Sequence, residues 1–146
     1  MSAVENQPLP SVVPMLSYED VGGAADWLTE AFGFHETGRW FDETGTPIHI
    51  NMAASGGVVM LGSPSPDYQS PKHHAETCKQ ARTWANTPFI VDGVLVYVRD
   101  IGEHQQRTVA AGAKILSPLE DNEQLGQRHY RAEDLEGHRW MFAEPL

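Results

Sequence analysis

The chain has 146 residues, 40% of them hydrophobic, which is enough for one buried core and too little for two independent domains. Ten Lys and Arg against twenty Asp and Glu give a formal net charge of −10, which repels phosphate backbones and anionic lipid, so neither nucleic acid nor a membrane is an expected partner. No apolar run approaches the roughly 20 residues of a membrane span; residues 1–10 show no secretion signal and Cys78 has no second cysteine to pair with, so a cytoplasmic protein is expected.

Residues 1–10 read as a flexible N-terminus and 11–145 as a single domain. Residues 11–17 fit a short strand. Asp20 then stands where a helix N-cap belongs, ahead of 21–32, where Ala24, Leu28, Ala31 and Phe32 recur at helical spacing until Gly33 stops the helix. Strand candidates follow at 34–41, 47–53 and 58–62, separated by the turn formers Glu43-Thr44-Gly45-Thr46 and Ala54-Ser55-Gly56-Gly57. A connection over 63–90 opens with Ser63-Pro64-Ser65-Pro66 and contains a helix candidate at 71–84. Its length suits either a lid over a site or a plain covering helix. The order then repeats: strand 93–98, Asp100 as cap, helix 101–111, Gly112 as stop, and strands 114–119, 127–133 and 138–144. Cap to stop is 13 positions in the first copy (20 to 33) and 12 in the second (100 to 112). The chain therefore reads as one unit used twice, module 1 at 11–62 and module 2 at 91–145, with a small-molecule cleft enclosed by the two copies.

Side chains alternate between the faces of a sheet, so hairpin register assigns each residue to a face. An even turn at Ser55-Gly56 pairs Met60 with Asn51 and Gly62 with His49, leaving Ile48, Ile50, Met52, Val59 and Leu61 to face the helix. An even turn at Glu43 to Thr46 pairs Trp40 with His49, whereas a bulge beside Gly45 reverses that. In the last hairpin an even turn centred on Leu135 and Glu136 pairs Met141 with Tyr130 and Arg128 with Ala143, with Trp140 and Phe142 on the helix side. In the opening strands Met15 and Tyr97 are placed with the cleft-facing set, and Val94, Val96 and Val98 with the core.

Two βαβββ modules of this length, closing on Tyr130-Arg131-Ala132-Glu133-Asp134-Leu135-Glu136-Gly137-His138-Arg139-Trp140, resemble the vicinal oxygen chelate superfamily of glyoxalase I, extradiol dioxygenases, fosfomycin-resistance enzymes and bleomycin-binding proteins. Pro47-Ile48-His49-Ile50 with Val58-Val59-Met60-Leu61 looks most like its PhnB-like branch, and Glu133-Asp134-Leu135-Glu136-Gly137 fills the place of its common Asp-Pro-Asp-Gly turn. The resemblance implies an α+β fold in which two βαβββ modules form a curled mixed sheet around a cleft, and it implies a homodimer. Metalloenzymes of that superfamily carry ligands on the first and fourth strands of each module, positions that fall here at Val13, Met60, Gly93 and Met141. None is a normal donor to a hard divalent metal, so no cofactor is expected.

The expected ligand-binding set is Met15, Trp40, His49, Asn51, Met60, Tyr97, Arg128, Tyr130, Arg139 and Met141, a few polar groups among aromatic and thioether surface. Such a set suits a planar aromatic or heteroaromatic ligand; the competing reading is a hydrogen-bonded core histidine and surface arginine ion pairs. His74 and Cys78 have the i, i+4 spacing of a metal pair on a helix, with His73 adjacent, but two ligands do not make a site. Two functions compete. One is a metal-independent binder acting in resistance, sequestration or carriage. The other is a glyoxalase-like lyase, isomerase or dioxygenase that uses acid and base groups such as Tyr130 and His49, or a metal at non-standard ligands. A partner-binding module is a third reading.

Overall fold

The computed structural model describes residues 10–89 and 91–146. Nine of the ten residues expected to form a flexible N-terminus, 1–9, lie outside the described residues. The chain divides into two compact units, one ending at Tyr68 and one beginning at Gln69.

In the first unit the order is β1 (Met15–Ser17), α1 (Val21–Phe32), β2 (His35–Phe41), β3 (Pro47–Ala54) and β4 (Gly57–Gly62). Its sheet runs β1-β4-β3-β2, with β1 parallel to β4 and the other neighbours antiparallel. Helix α1 begins where Asp20 accepts from the Gly23 N–H at 3.0 Å and ends where Gly33 turns left-handed at φ 72°. It buries Val21, Ala24, Ala25, Leu28, Ala31 and Phe32. The sheet supplies buried Ile50, Met52, Val59 and Leu61 to the same core, whereas Ile48, expected there too, is exposed.

The second unit holds α2 (Pro71–Thr77), α3 (Lys79–Ala85), β5 (Gly93–Tyr97), α4 (Ile101–Ala110), β6 (Lys114–Asn122), β7 (Gln127–Glu133) and β8 (Arg139–Pro145). Its sheet, β5-β8-β7-β6, repeats the first plan, with β5 parallel to β8. Each unit is thus a βαβββ module, and the fold class is α+β with two four-stranded mixed sheets. Among the described residues no helix is long and apolar enough to cross a membrane.

The single helix expected over 71–84 is two. Cys78 has extended backbone, φ −121° and ψ 114°, and separates α2 from α3. The Arg82 guanidinium reaches back across the break to the Ala75 and Glu76 carbonyls at 3.2 and 3.0 Å, satisfying acceptors that a helix end leaves open. These helices fasten to their own module: the Lys72 N–H donates to the Glu136 carbonyl at 3.0 Å.

Candidate functional site

Each sheet has one face under its helix and one away from it, and cross-strand register decides which residues share the second. In the first module, Met15, Met60, Asn51 and Gly38 form one row across the four strands, and Ser17, Gly62, His49 and Trp40 form the next. All five residues selected from this module therefore lie on one face. His49 Nε2 donates to Asn51 Oδ1 at 3.1 Å, and the Trp40 and His49 rings meet edge to face with centroids 4.9 Å apart. Asn51 is buried, Trp40, His49 and Met60 are half-buried, and Met15 is exposed on the edge strand.

The Trp40 to His49 pairing arises differently from the even turn expected. Residues 42–46 form a five-residue loop, flanked by the pair Phe41 and Pro47, and a register shift between Trp40 and Phe41 absorbs the odd residue.

In the second module one assignment is corrected. The loop between β7 and β8 also has five residues, 134–138, so Glu133 stands opposite Arg139, Arg131 opposite Met141 and Tyr130 opposite Phe142. No register shift compensates, and every side chain of β7 is on the opposite face from the one expected. Tyr130 is completely buried beneath α4, its hydroxyl 2.6 Å from His104 Nδ1 and 2.9 Å from Thr108 Oγ1. Burial pushes its phenol up to about 12, the Thr108 hydrogen bond opposing that only in part. It cannot partner His49 as an acid and base pair in an open site. Arg128 is half-exposed at the sheet's far end, where its Nε donates to Asp121 Oδ1 at 2.6 Å. That contact holds the Asp121 carboxyl below its usual range.

Tyr97, Arg139 and Met141 do share the face away from α4. The Tyr97 hydroxyl donates to Gln127 Oε1 at 3.3 Å. Arg139, 7% exposed, spends its guanidinium on the Ala85 and Thr87 carbonyls and lies 3.7 Å from Glu133 Oε2, so it clamps the end of α3 to the sheet. Beside it is a hollow of ≈ 190 Å³ lined by Phe89, Val91, Leu95, Met141, Arg131 and Arg139 among others. Arg131 and His129 were not among the residues selected from the sequence, because a register one residue out sent β7's odd-numbered positions to the core; Ser117, opposite Arg131 on β6, had been given no face. The Asp134-to-Gly137 spacing was the available signal: an Asx-type loop closed by a left-handed glycine carries an odd residue.

Among the described residues there is no group of three His, Cys, Asp or Glu side chains able to hold a metal ion. Strands β1 with β4 and β5 with β8 are adjacent and parallel; of the four positions the family resemblance marks for metal ligands, Met60, Gly93 and Met141 lie on β4, β5 and β8, whereas Val13 precedes β1, whose Met15 is the residue paired with Met60. His74 and Cys78 do not form a helical pair either, since Cys78 has left the helix.

Residues 12–142 match the family model of the Glyoxalase/Bleomycin resistance protein/Dioxygenase superfamily. The chain is similar to TioX from Micromonospora sp. ML1, with 35% identity and a TM-score of 0.68 over 94% of this chain and 97% of that one. It shares its fold, at 16% identity and a TM-score of 0.63, with TnmS3, an antibiotic binding protein from Streptomyces sp. CB03234, over 100% of this chain and 98% of that one. An uncharacterized protein of Mycobacterium bovis is 29% identical over 137 residues, 94% of this chain and 84% of the relative.

Proposed function

The chain belongs to the Glyoxalase/Bleomycin resistance protein/Dioxygenase superfamily, and from that premise we propose that it is a metal-independent small-molecule binding protein whose ligand is a planar aromatic or heteroaromatic compound. One observation carries the reading. The positions that the family resemblance marks for metal ligands bear Val13, just ahead of β1, with Met60, Gly93 and Met141 on β4, β5 and β8, and the faces around them offer ring and thioether surface with few polar groups. Met15, Trp40, His49, Asn51 and Met60 make the first contact surface, and Tyr97, Arg139 and Met141 belong to the second. Trp40, edge-on to His49, leaves a ring for stacking, and the His49 to Asn51 hydrogen bond fixes the polar groups that orient a ligand. The shared fold with TnmS3, an antibiotic binding protein, is compatible with such a role. The PhnB-like placement rests on the segments around His49 and Met60. A homodimer is supported by apolar side chains exposed on the edge strands and their lead-ins, Val12, Met15, Leu95 and Tyr97. A cytoplasmic location rests on the single cysteine.

The test joins metal analysis of untagged protein with a thermal-shift screen of flat aromatic compounds against wild type and Trp40→Ala. Binding without stoichiometric metal, weakened about tenfold in Trp40→Ala, is expected. One tightly bound divalent ion per chain, or binding indifferent to Trp40, overturns the reading.

A further inference from the structure

The inner face of the second module contains polar atoms that the protein itself leaves unused. Leu95, Met141, Arg131 and Ser117 form a single row across β5, β8, β7 and β6. Arg131 is half-buried, and its side chain makes no hydrogen bond or ion pair among the described residues. The Ser117 Oγ opposite it is buried with no hydrogen-bond partner. One pair further along the same face, His129 is 5% exposed and its Nδ1 also lacks a partner. Every other arginine discussed above is committed: Arg139 to two carbonyls and Glu133, Arg128 to Asp121, Arg82 to two carbonyls. Glu133, on the same face two residues along β7, lies 3.7 Å from both Arg139 and Lys114, and its buried Oε2 has no hydrogen-bond partner, so a group bound here is drawn by Arg131 rather than by Glu133.

A buried polar atom without a partner costs free energy, so Ser117 Oγ and His129 Nδ1 on one face are unfavourable unless something else satisfies them, and the uncommitted Arg131 guanidinium stands beside them. In a chain of net charge −10, where twenty Asp and Glu stand against ten Lys and Arg, a cation without an ion pair is the more notable. Arg131 also lines the ≈ 190 Å³ hollow, whose other walls include Phe89, Val91, Leu95 and Met141. A cavity of ~150 Å³ accepts a benzene ring, so this one has room for a small aromatic group beside the guanidinium.

We propose that this face recognises an acidic group, a carboxylate carried on an aromatic ring, with Arg131 and Ser117 holding the carboxylate, His129 supplementing them, and Leu95 and Met141 supporting the ring. This rests on the binder reading and specifies its ligand class. Guanidinium geometry suits a carboxylate because two parallel N–H groups meet its two oxygens.

The experiment follows amide resonances of the full chain on titration with 2-naphthoate and with the uncharged, near-isosteric 2-naphthamide. Wild type should bind the carboxylate about tenfold more tightly than the amide. That preference should disappear in Arg131→Gln, return in part in Arg131→Lys, and persist in Arg128→Gln. Equal binding of both probes to wild type, or a preference unchanged in Arg131→Gln, overturns the acidic-ligand inference while leaving a binding protein. Failure of both probes to bind overturns the inference and the binder reading together.

Discussion

The chain builds the same five-residue loop twice and puts it to two different uses. In Asp42-Glu43-Thr44-Gly45-Thr46 the Asp42 carboxylate accepts from the Thr44 and Thr46 N–H groups at 2.8 and 3.0 Å, with Gly45 at φ 85°. In Asp134-Leu135-Glu136-Gly137-His138 the Asp134 carboxylate accepts from the Glu136 and His138 N–H groups, both at 3.0 Å, with Gly137 at φ 92°. The first loop is exposed and joins β2 to β3; the second is buried and joins β7 to β8. Asp134 also takes the indole N–H of Trp140 at 3.0 Å, and Gly137 lies where a Cβ would come 2.8 Å from the Lys72 backbone nitrogen. Identical local chemistry thus closes a free hairpin in one module and ties a core tryptophan and a neighbouring helix together in the other. What differs is the neighbourhood, and its consequences can be measured.

The largest contrast lies between the two aspartates. Asp134→Ala strands two backbone N–H groups and a buried indole N–H, and a loss of about 3 kcal/mol or more is expected in urea denaturation. Asp42→Ala leaves its groups to water, and its midpoint should barely move. Equal losses would break the comparison.

Next is the helix-facing core. The first module closes under α1 with apolar side chains, whereas the second buries the Tyr130 hydroxyl against His104 and Thr108. Tyr130→Phe should cost about 1–2 kcal/mol near neutral pH. The phenol is neutral in the folded state up to about 12, while an unfolded tyrosine ionises from its ordinary 10.0. Its contribution is therefore complete below pH 10 and is lost as pH rises through about 12, by roughly 2–3 kcal/mol. The advantage of wild type over Tyr130→Phe should fall through zero and change sign over that interval; a constant difference would show that the hydroxyl is not so enclosed.

A third contrast, of similar size, sharpens the roles of two arginines. Arg139→Met leaves the Ala85 and Thr87 carbonyls without their donor and should cost about 2 kcal/mol. Arg128→Gln removes a solvent-exposed pair with Asp121 and should leave the denaturation midpoint unchanged.

Legibility followed the range of the interactions involved. Helix α1 was readable to the residue because its cap, apolar spacing and stop all lie within 20–33. The β3–β4 register was readable because a two-residue turn at Ser55-Gly56 admits one pairing. The β7 register was misread. Of its two alternating sets, His129-Arg131-Glu133 is wholly polar while Arg128-Tyr130-Ala132 carries the apolar members, so the pattern pointed to the observed face, and a turn miscounted by one residue overrode it. Trp40 met His49 because a bulge cancelled an odd loop, which strand alternation alone does not reveal.

The sequence by itself determined the duplicated βαβββ order and the cap and stop of α1, since these depend on residue identity and local spacing. Tertiary structure alone decided that Tyr130 belongs to the core, that Arg139 is spent on holding α3, and that Arg131, Ser117 and His129 stand on one face without partners. Whether a polar side chain is used or free depends on which backbone and side-chain groups surround it in space, and a one-residue shift in register exchanges one set of neighbours for the other.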